Sequence, residues 1–276
     1  MQIKDLEAEV GMPLFERQSR KVSLTTSGEY MLVYTRKMLS LLKDAEDAAA
    51  RLQRIKTGKL TIGMVDTTTY FIPALLNKFL KEHEGIEVAL KVGNRLELIQ
   101  WLQNNEVDIA IMGSPPSEMP TRAEPFAANP LVFVASPEHL LASETGLRAE
   151  DLRQQSFIIR EPGSGTRSGM EAFFLQARLQ PRISMQLQSN DAIKQAVKAN
   201  LGLSFLSLHT IGLELAAKQL TILDIRDSPV VRAWHVVHAL SKLLSPAAEA
   251  FRYFVLEHGE SYLAEQFGAV LRPRAQ

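Results

Sequence analysis

A chain of 276 residues that is 46% hydrophobic is long enough to bury more than one core, and its 31 Lys/Arg balance 31 Asp/Glu, so no whole-protein basic field draws it to nucleic acid. It has no cysteine, which excludes disulfides and thiolate metal sites and suits a reducing compartment. It opens on charged, amphipathic sequence and holds no apolar run near the ~20 residues of a membrane span, so the expectation is a cytoplasmic protein with no membrane partner.

The first fifty-nine residues depart from neutrality, with eleven Lys/Arg against eight Asp/Glu and a close group at Arg17, Arg20 and Lys21. Taken alone, such a group is usually a solvated face. Leu24-Thr25-Thr26-Ser27-Gly28-Glu29 opens a helix, with a hydroxyl residue to cap it and Glu29 in the first turn. Apolar residues then recur every seven positions. One seam is Met31, Met38, Ala45 and Leu52; the other is Tyr34, Leu41, Ala48 and Ile55. Such a helix either lies on its own domain or pairs with a second copy. The small alanines at mid-seam favour pairing, because they let two helices approach closely.

Gly58 ends that helix and 59–65 reads as a strand. Strands and helices then alternate: helix 72–84, strand 86–92, helix 95–104, and strands at 108–112 and 131–135. A second series has a strand at 156–160, a helix from about Thr166, a strand at 183–187, a helix at 192–199 and a strand at 203–206. A strand at 233–239 and a helix at 246–258 close the chain. The order predicts an α/β fold with mainly parallel pairing.

Candidate chemistry gathers where strands hand over to helices, since ligands in open α/β sheets collect at the carboxyl ends of strands. In Arg160-Glu161-Pro162-Gly163-Ser164-Gly165-Thr166-Arg167 two glycines permit a tight turn, and the helix start offers free N–H groups to an anion. Ser164 and Thr166 can donate, and Arg167 is suited to a bidentate grip on phosphate or carboxylate. The loop lacks the Gly-Lys-Ser/Thr of a P-loop and the glycine spacing of a dinucleotide fingerprint. Asp66-Thr67-Thr68-Thr69-Tyr70 follows the first strand, where threonines either cap the next helix or bind ligand. Ser189-Asn190, Met112-Gly113 and Phe205-Leu206-Ser207 hold equivalent edges.

Enzyme readings find no support. His235 and His238 are three apart on a strand and face opposite ways, and the other histidines show no metal-ligand spacing. Ser164 sits in Gly-Ser-Gly, not Gly-x-Ser-x-Gly, and has no base beside it. The expectation is neither an enzyme nor a metalloprotein.

Gln2-Ile3-Lys4-Asp5-Leu6-Glu7, then Leu14-Phe15-Glu16-Arg17, then Arg20-Lys21-Val22-Ser23-Leu24-Thr25-Thr26-Ser27-Gly28, resembles the back half of the winged helix-turn-helix of LysR-type transcriptional regulators. On that resemblance Met1 falls inside the recognition helix, and residues 1–28 form a partial winged helix-turn-helix. Gln2, Lys4, Arg17, Arg20 and Lys21 would meet DNA, with wing contacts to phosphate. The resemblance implies a dimerising linker helix at 29–57 and an effector domain at 58–267, with 268–276 as a tail. That domain would have the two-lobed fold of type 2 periplasmic binding proteins: lobe one at 59–132 plus 240–267, lobe two at 137–233, joined by crossover strands 131–136 and 234–239. In the family the 160–167 loop borders the effector cleft and an acidic residue at Asp108 is structural. The implied effector residues are Thr67, Thr68, Arg95, Ser164, Gly165, Thr166, Arg167 and Asn190.

Gly93-Asn94-Arg95, Met112-Gly113-Ser114-Pro115-Pro116, residues 160–167, Ile193-Lys194-Gln195-Ala196-Val197, Leu206-Ser207-Leu208-His209-Thr210 and Trp234-His235-Val236 are similar to the Calvin-cycle operon regulators of the LysR type (CbbR-like). This implies control of carbon dioxide fixation genes, promoter DNA and a homodimer or homotetramer as partners, and no cofactor. The effector would be a small anion, a phosphorylated metabolite or NADPH, with Arg160 and Lys194 in reserve. A carboxylate or amino-acid effector, or a solute-binding-like protein without DNA binding, are the alternatives.

Overall fold

The computed structural model describes residues 2–18, 21–52 and 58–271. Helix α1 (Gln2–Val10) stops at Gly11, whose φ of +75° is a left-handed turn that glycine takes without strain. Glu7 reaches past that turn, and its Oε1 accepts from the backbone N–H of Leu14 (2.8 Å) and Phe15 (3.0 Å). This fixes strand β1 (Phe15–Gln18), which pairs antiparallel with β2 (Lys21–Leu24). Thr25 caps helix α2 (Thr26–Leu52): its hydroxyl donates to the Pro13 carbonyl (2.7 Å) and accepts from the Gly28 N–H (3.0 Å). A Cβ on Gly28 would overlap the Leu14 carbonyl oxygen, so the helix start and the hairpin entry close on each other only with glycine there.

Most of the described residues of the α2 heptad seams do not pack on this chain. Tyr34, Met38 and Leu41 are 60%, 60% and 68% exposed, and Ala45 is exposed too, while Met31 is half-buried. Off the seams, Val33, Leu39 and Leu42 are also exposed. Ile55 and the side chains of Ala48 and Leu52 lie outside the described residues.

Strand β3 (Gly58–Val65) leads through a 3-10 turn at Asp66–Tyr70 into helix α3 (Ile72–Glu82). Strand β4 (Ile86–Gly93), helix α4 (Arg95–Gln103), strand β5 (Ile109–Met112) and strand β6 (Thr121–Ala135) follow. Then come β7 (Ser156–Arg160), α5 (Gly165–Gln176), β8 (Arg182–Leu187), α6 (Asn190–Lys198) and β9 (Ser204–Ser207). Helix α7 (Gly212–Ala216), β10 (Thr221–Ile222), β11 (Val230–Ala239) and α8 (Pro246–Leu271) end the chain. β3 runs parallel to β4 and β5, and β7 parallel to β8, as βα alternation requires. But β6 pairs antiparallel with β9, β10 and β11, and β11 with β5, so the pairing is not mainly parallel as expected: the two long strands that cross between the lobes run against their neighbours.

Two groups of cores form two lobes. In the first, Leu60, Ile62 and Ile111 of the sheet pack on Phe79 of α3 and Phe251 of α8, while Leu98 and Leu102 of α4 cover the other face with Met112 and Val237. In the second, Phe133, Phe157 and Phe174 meet edge to face under α5 at centroid distances of 5.1–6.1 Å, and Ile193, Val197 and Leu206 pack under α6. Asp108 anchors the first lobe. Its carboxylate accepts from the Thr61 N–H (2.7 Å) and pairs with Lys242 Nζ (2.8 Å), and both side chains are buried.

β6 and β11 pass between the lobes, paired antiparallel from Thr121↔Ala239 to Leu131↔Val230 with a bulge at Trp234/His235. The carboxyl half of β11 joins β5, whereas Leu131–Ala135 of β6 joins β9 and β10. The strand expected at 131–135 is therefore only the end of a fifteen-residue strand. The change of lobe falls near 128–131 and 231–234, not along 131–136 and 234–239. Pro120, Pro125 and Pro130 hide the rest of β6, because proline reads as a strand breaker. Here Pro125 faces His235 at the bulge, where the ladder is already irregular.

Helix α8 also outruns its expected end at 258, so 268–271 is helix and not tail; residues 272–276 lie outside the described residues. Gly259 suggests a helix stop but is a packing glycine. A Cβ there would lie 2.5 Å from the Phe126 ring.

Candidate functional site

The carboxyl ends of β3, β4, β5 and β7 converge on a cleft between the lobes. Asn129, Leu131, Arg232 and Trp234 of the crossing strands line it, with Asp66, Thr67, Arg95 and Ser114 from the first lobe and Arg160, Glu161, Ser164, Gly165 and Thr166 from the second. Gly163 draws the lobes together. Its φ is +87°, and a Cβ would stand 2.7 Å from the Leu96 side chain of α4. Ser164 caps α5 by accepting from the Arg167 N–H at 3.5 Å, so first-turn N–H groups open toward the cleft beside Gly165 and Thr166.

The charges are unequal in freedom. Arg160, 5% exposed, binds Glu161 in bidentate fashion (2.8 and 3.0 Å), donates to Asn190 Oδ1 (2.9 Å) and lies 3.5 Å from Asp66. Asp66 in turn accepts from the Asn190 backbone N–H (3.2 Å) and side-chain amide (2.7 Å), which links the lobes. Arg95 grips Glu118 in bidentate fashion (2.8 and 2.9 Å) and donates to the carbonyls of Ser114 and Pro115. That guanidinium holds the Glu118 carboxyl down at about 2. Arg232 is different. Its Nη1 donates to Ser114 Oγ and the Gly165 carbonyl, both at 3.0 Å, and no carboxylate pairs with it among the described residues. Half-burial without a counter-ion lowers its pKa and leaves it as the cleft's available cation.

Beneath the cleft a buried polar chain ties the crossing strands to the second lobe. Trp234 Nε1 donates to His209 Nδ1 (3.2 Å), Ser207 Oγ lies 3.4 Å from the same nitrogen, and Ser207 Oγ donates to Asn129 Oδ1 (2.8 Å). Phe71 and Phe267 pack on the His209 ring, and burial pushes its pKa down to about 4.

Of the residues expected to hold ligand, Thr67, Arg95, Ser164, Gly165 and Thr166 line the cleft, and Asn190 stands directly behind Arg160 and Asp66. Thr68 and Arg167 do not line it. Thr68 is buried and donates to the Val65 carbonyl (2.8 Å), as Thr69 does to Asp66 (2.6 Å). The threonines therefore brace the 3-10 turn; they do not cap α3, whose N-cap Phe71 makes no side-chain bond. Arg167 turns outward to Glu171 (2.7 Å), one turn along its own helix, and to Gln186 Oε1 (2.8 Å) and the Arg160 carbonyl (3.3 Å). Lys194 is spent on Asp191 (3.0 Å) and Glu214 (2.9 Å). Arg232, Trp234 and Asn129 went unread. Nothing local marks an arginine in Val230-Val231-Arg232-Ala233 as a ligand residue, since its role depends on where β11 crosses.

At the amino terminus, Lys4 is exposed on α1; Arg20 and the side chains of Gln2, Arg17 and Lys21 lie outside the described residues. Among the described residues no group of three metal-ligating side chains forms, and no helix is long and apolar enough to cross a membrane.

Two family models match this chain: the LysR substrate binding domain over residues 53–260, and the bacterial regulatory helix-turn-helix protein, lysR family, over residues 1–29. The chain belongs to the LysR family of transcriptional regulators. It is 43% identical over 274 residues to the HTH-type transcriptional regulator CfxR of Cupriavidus necator, covering 99% of this chain and 86% of that one. It is 43% identical over 256 residues to the RuBisCO operon transcriptional regulator of Allochromatium vinosum, covering 93% and 85%. Among solved structures, the Synechocystis CcmR regulatory domain in complex with 2-PG superposes with a TM-score of 0.70 at 39% identity, covering 73% of this chain and 97% of that one. This LysR-family chain is accordingly a regulator and not an enzyme, and its two-lobed α/β fold is that of LysR effector domains.

Proposed function

We propose that this LysR-type regulator controls carbon dioxide fixation genes in the cytoplasm and that its interlobe cleft binds a small anionic metabolite, phosphorylated or carboxylate, anchored on Arg232. The observation that carries the site is the charge pattern: Arg95 and Arg160 are matched by carboxylates, and Arg232 is not. The α5 start beside it adds N–H donors. Relatives named for the RuBisCO operon support the gene class. Residues 1–28 form the DNA-facing part, and α2 pairs two copies through its exposed apolar seams, here beginning at Thr26. Gln2 and Lys4 stand near the end of the recognition helix, and Arg17, Arg20 and Lys21 of the wing supply phosphate contacts to promoter DNA, so affinity falls with salt. Effector and DNA then act on each other's affinity reciprocally.

Thermal shift with phosphorylated metabolites, NADPH, aromatic carboxylates and amino acids tests the site. A ligand at ~100 times its dissociation constant stabilises by about 2.7 kcal/mol. The expected result is a shift with an anionic metabolite that Arg232→Gln reduces; stabilisation untouched by Arg232→Gln defeats the assignment.

A further inference from the structure

We infer that Asn129 is an effector-binding residue, its side-chain N–H groups aimed at an acceptor oxygen of the anion held at Arg232, and that Ser207 is the positioning residue that turns it that way. The inference rests on reading this cleft as the effector site. Asn129 and Arg232 are direct cross-strand partners on β6 and β11, so their side chains leave the ladder side by side on one face. Both line the cleft.

The polarity of Asn129 follows from the protons along the buried chain beneath it. The Trp234 indole nitrogen can only donate, so His209 Nδ1, 3.2 Å away, must present its lone pair, and the ring proton sits on Nε2. That lone pair is then taken. Ser207 Oγ lies 3.4 Å from the same nitrogen but 2.8 Å from Asn129. Its single hydrogen therefore goes to Asn129, which must meet it with the oxygen, Oδ1. The reverse setting, with Nδ2 toward Ser207, would leave the hydroxyl hydrogen competing with the indole for one lone pair. Nδ2 is thereby turned away from Ser207, toward Gly113 of the cleft wall, where a Cβ would stand 3.1 Å from it. Among the described residues Nδ2 donates to none. A buried amide whose N–H groups find no protein acceptor is a donor held ready for a ligand. Beside Arg232 and the start of α5 it extends a wall of donors, which a phosphate or carboxylate oxygen matches and an ammonium does not.

Titration calorimetry on the full chain tests this, with 2-phosphoglycolate, phosphoenolpyruvate and ribulose 1,5-bisphosphate as probes. For whichever binds, Asn129→Ala should weaken binding about tenfold, the low end for a hydrogen bond to a charged group. Ser207→Ala should weaken it about threefold in the wild-type chain yet change nothing once Asn129 is replaced, because Ser207 acts only through Asn129. Asn129→Leu, of similar size and without a donor, takes the place of Asn129→Ala should that variant fail to fold. Unchanged binding on loss of Asn129 overturns the assignment. So do additive losses in the double variant, which would make Ser207 a general support of the fold. In both cases continued weakening by Arg232→Gln leaves the effector site standing. Binding of none of the three probes, or binding indifferent to Arg232→Gln, overturns the effector-site reading itself.

Discussion

The loop at 160–167 and the crossing strand at 230–234 both bring an arginine to the edge of one cleft, and they use it in opposite ways. The loop has every local mark of an anion site: glycines, hydroxyls, a helix start and Arg167. Yet Arg167 folds back on Glu171 one turn along its own helix, and Arg160 is held by its neighbour Glu161. The strand has no such marks, and its Arg232 remains unpaired among the described residues. An arginine's availability is thus set by the nearest carboxylate more than by the motif around it. A carboxylate one residue or one helical turn away is always within reach, whereas a strand residue meets only what tertiary packing brings.

Four measurements press on that comparison. The largest effect belongs to a fully committed cation: Lys242→Ala strands Asp108 in the first core, and chemical denaturation should show a loss of about 3–5 kcal/mol, against less than about 1 kcal/mol for Arg232→Gln. Equal losses would erase the distinction between structural and available cations.

The next concerns His209, which holds Trp234 of the crossing strand in place. Its folded pKa, about 4, lies below the ordinary 6.5, so the unfolded chain binds more protons between those values. Stability should therefore fall as pH drops from about 6.5 to about 4, and His209→Gln should flatten that limb of a melting-temperature profile. An unchanged slope would mean that burial of His209 is not its source.

Third, Arg232→Gln should weaken effector binding by roughly 1.5–3 kcal/mol, the range for a hydrogen bond to a charged group, read by titration at constant ionic strength. Smallest is Arg167→Ala, which loses the pair with Glu171 and the bonds to Gln186 and the Arg160 carbonyl, none of them to the cleft, so binding should change less than about threefold. A tenfold loss of binding in Arg167→Ala would return the anion site to the loop.

Much of the fold was legible because it is written in local patterns. The strands at β3, β4 and β7 and the helices α3, α4 and α6 stand within a few residues of expectation, since alternation of apolar runs with capped helices needs no distant partner. The first two thirds of β6 were not legible. Pro125 and Pro130 within it, and Pro120 just before it, argue against a strand, and only pairing with β11 on one side and with β9 and β10 at its end overrides them. Gly259 misleads in the same manner: a helix-stop residue by propensity, it is retained inside α8 because Phe126 takes the space a side chain would fill.

The amino-acid sequence alone determined the α/β class, the family through its Leu-Phe-x-Arg and Leu-Thr-Thr-Ser-Gly segments, and part of the cleft lining, Thr67, Arg95 and 164–166. These depend on spacing within one turn or one strand. Which cations are spent and which remain, which threonines face ligand, and where the chain changes lobes were decided by tertiary structure. Residues such as Asp66 and Asn190, or Ser114 and Arg232, are more than a hundred positions apart in the chain and meet only when β6 and β11 bring the lobes together.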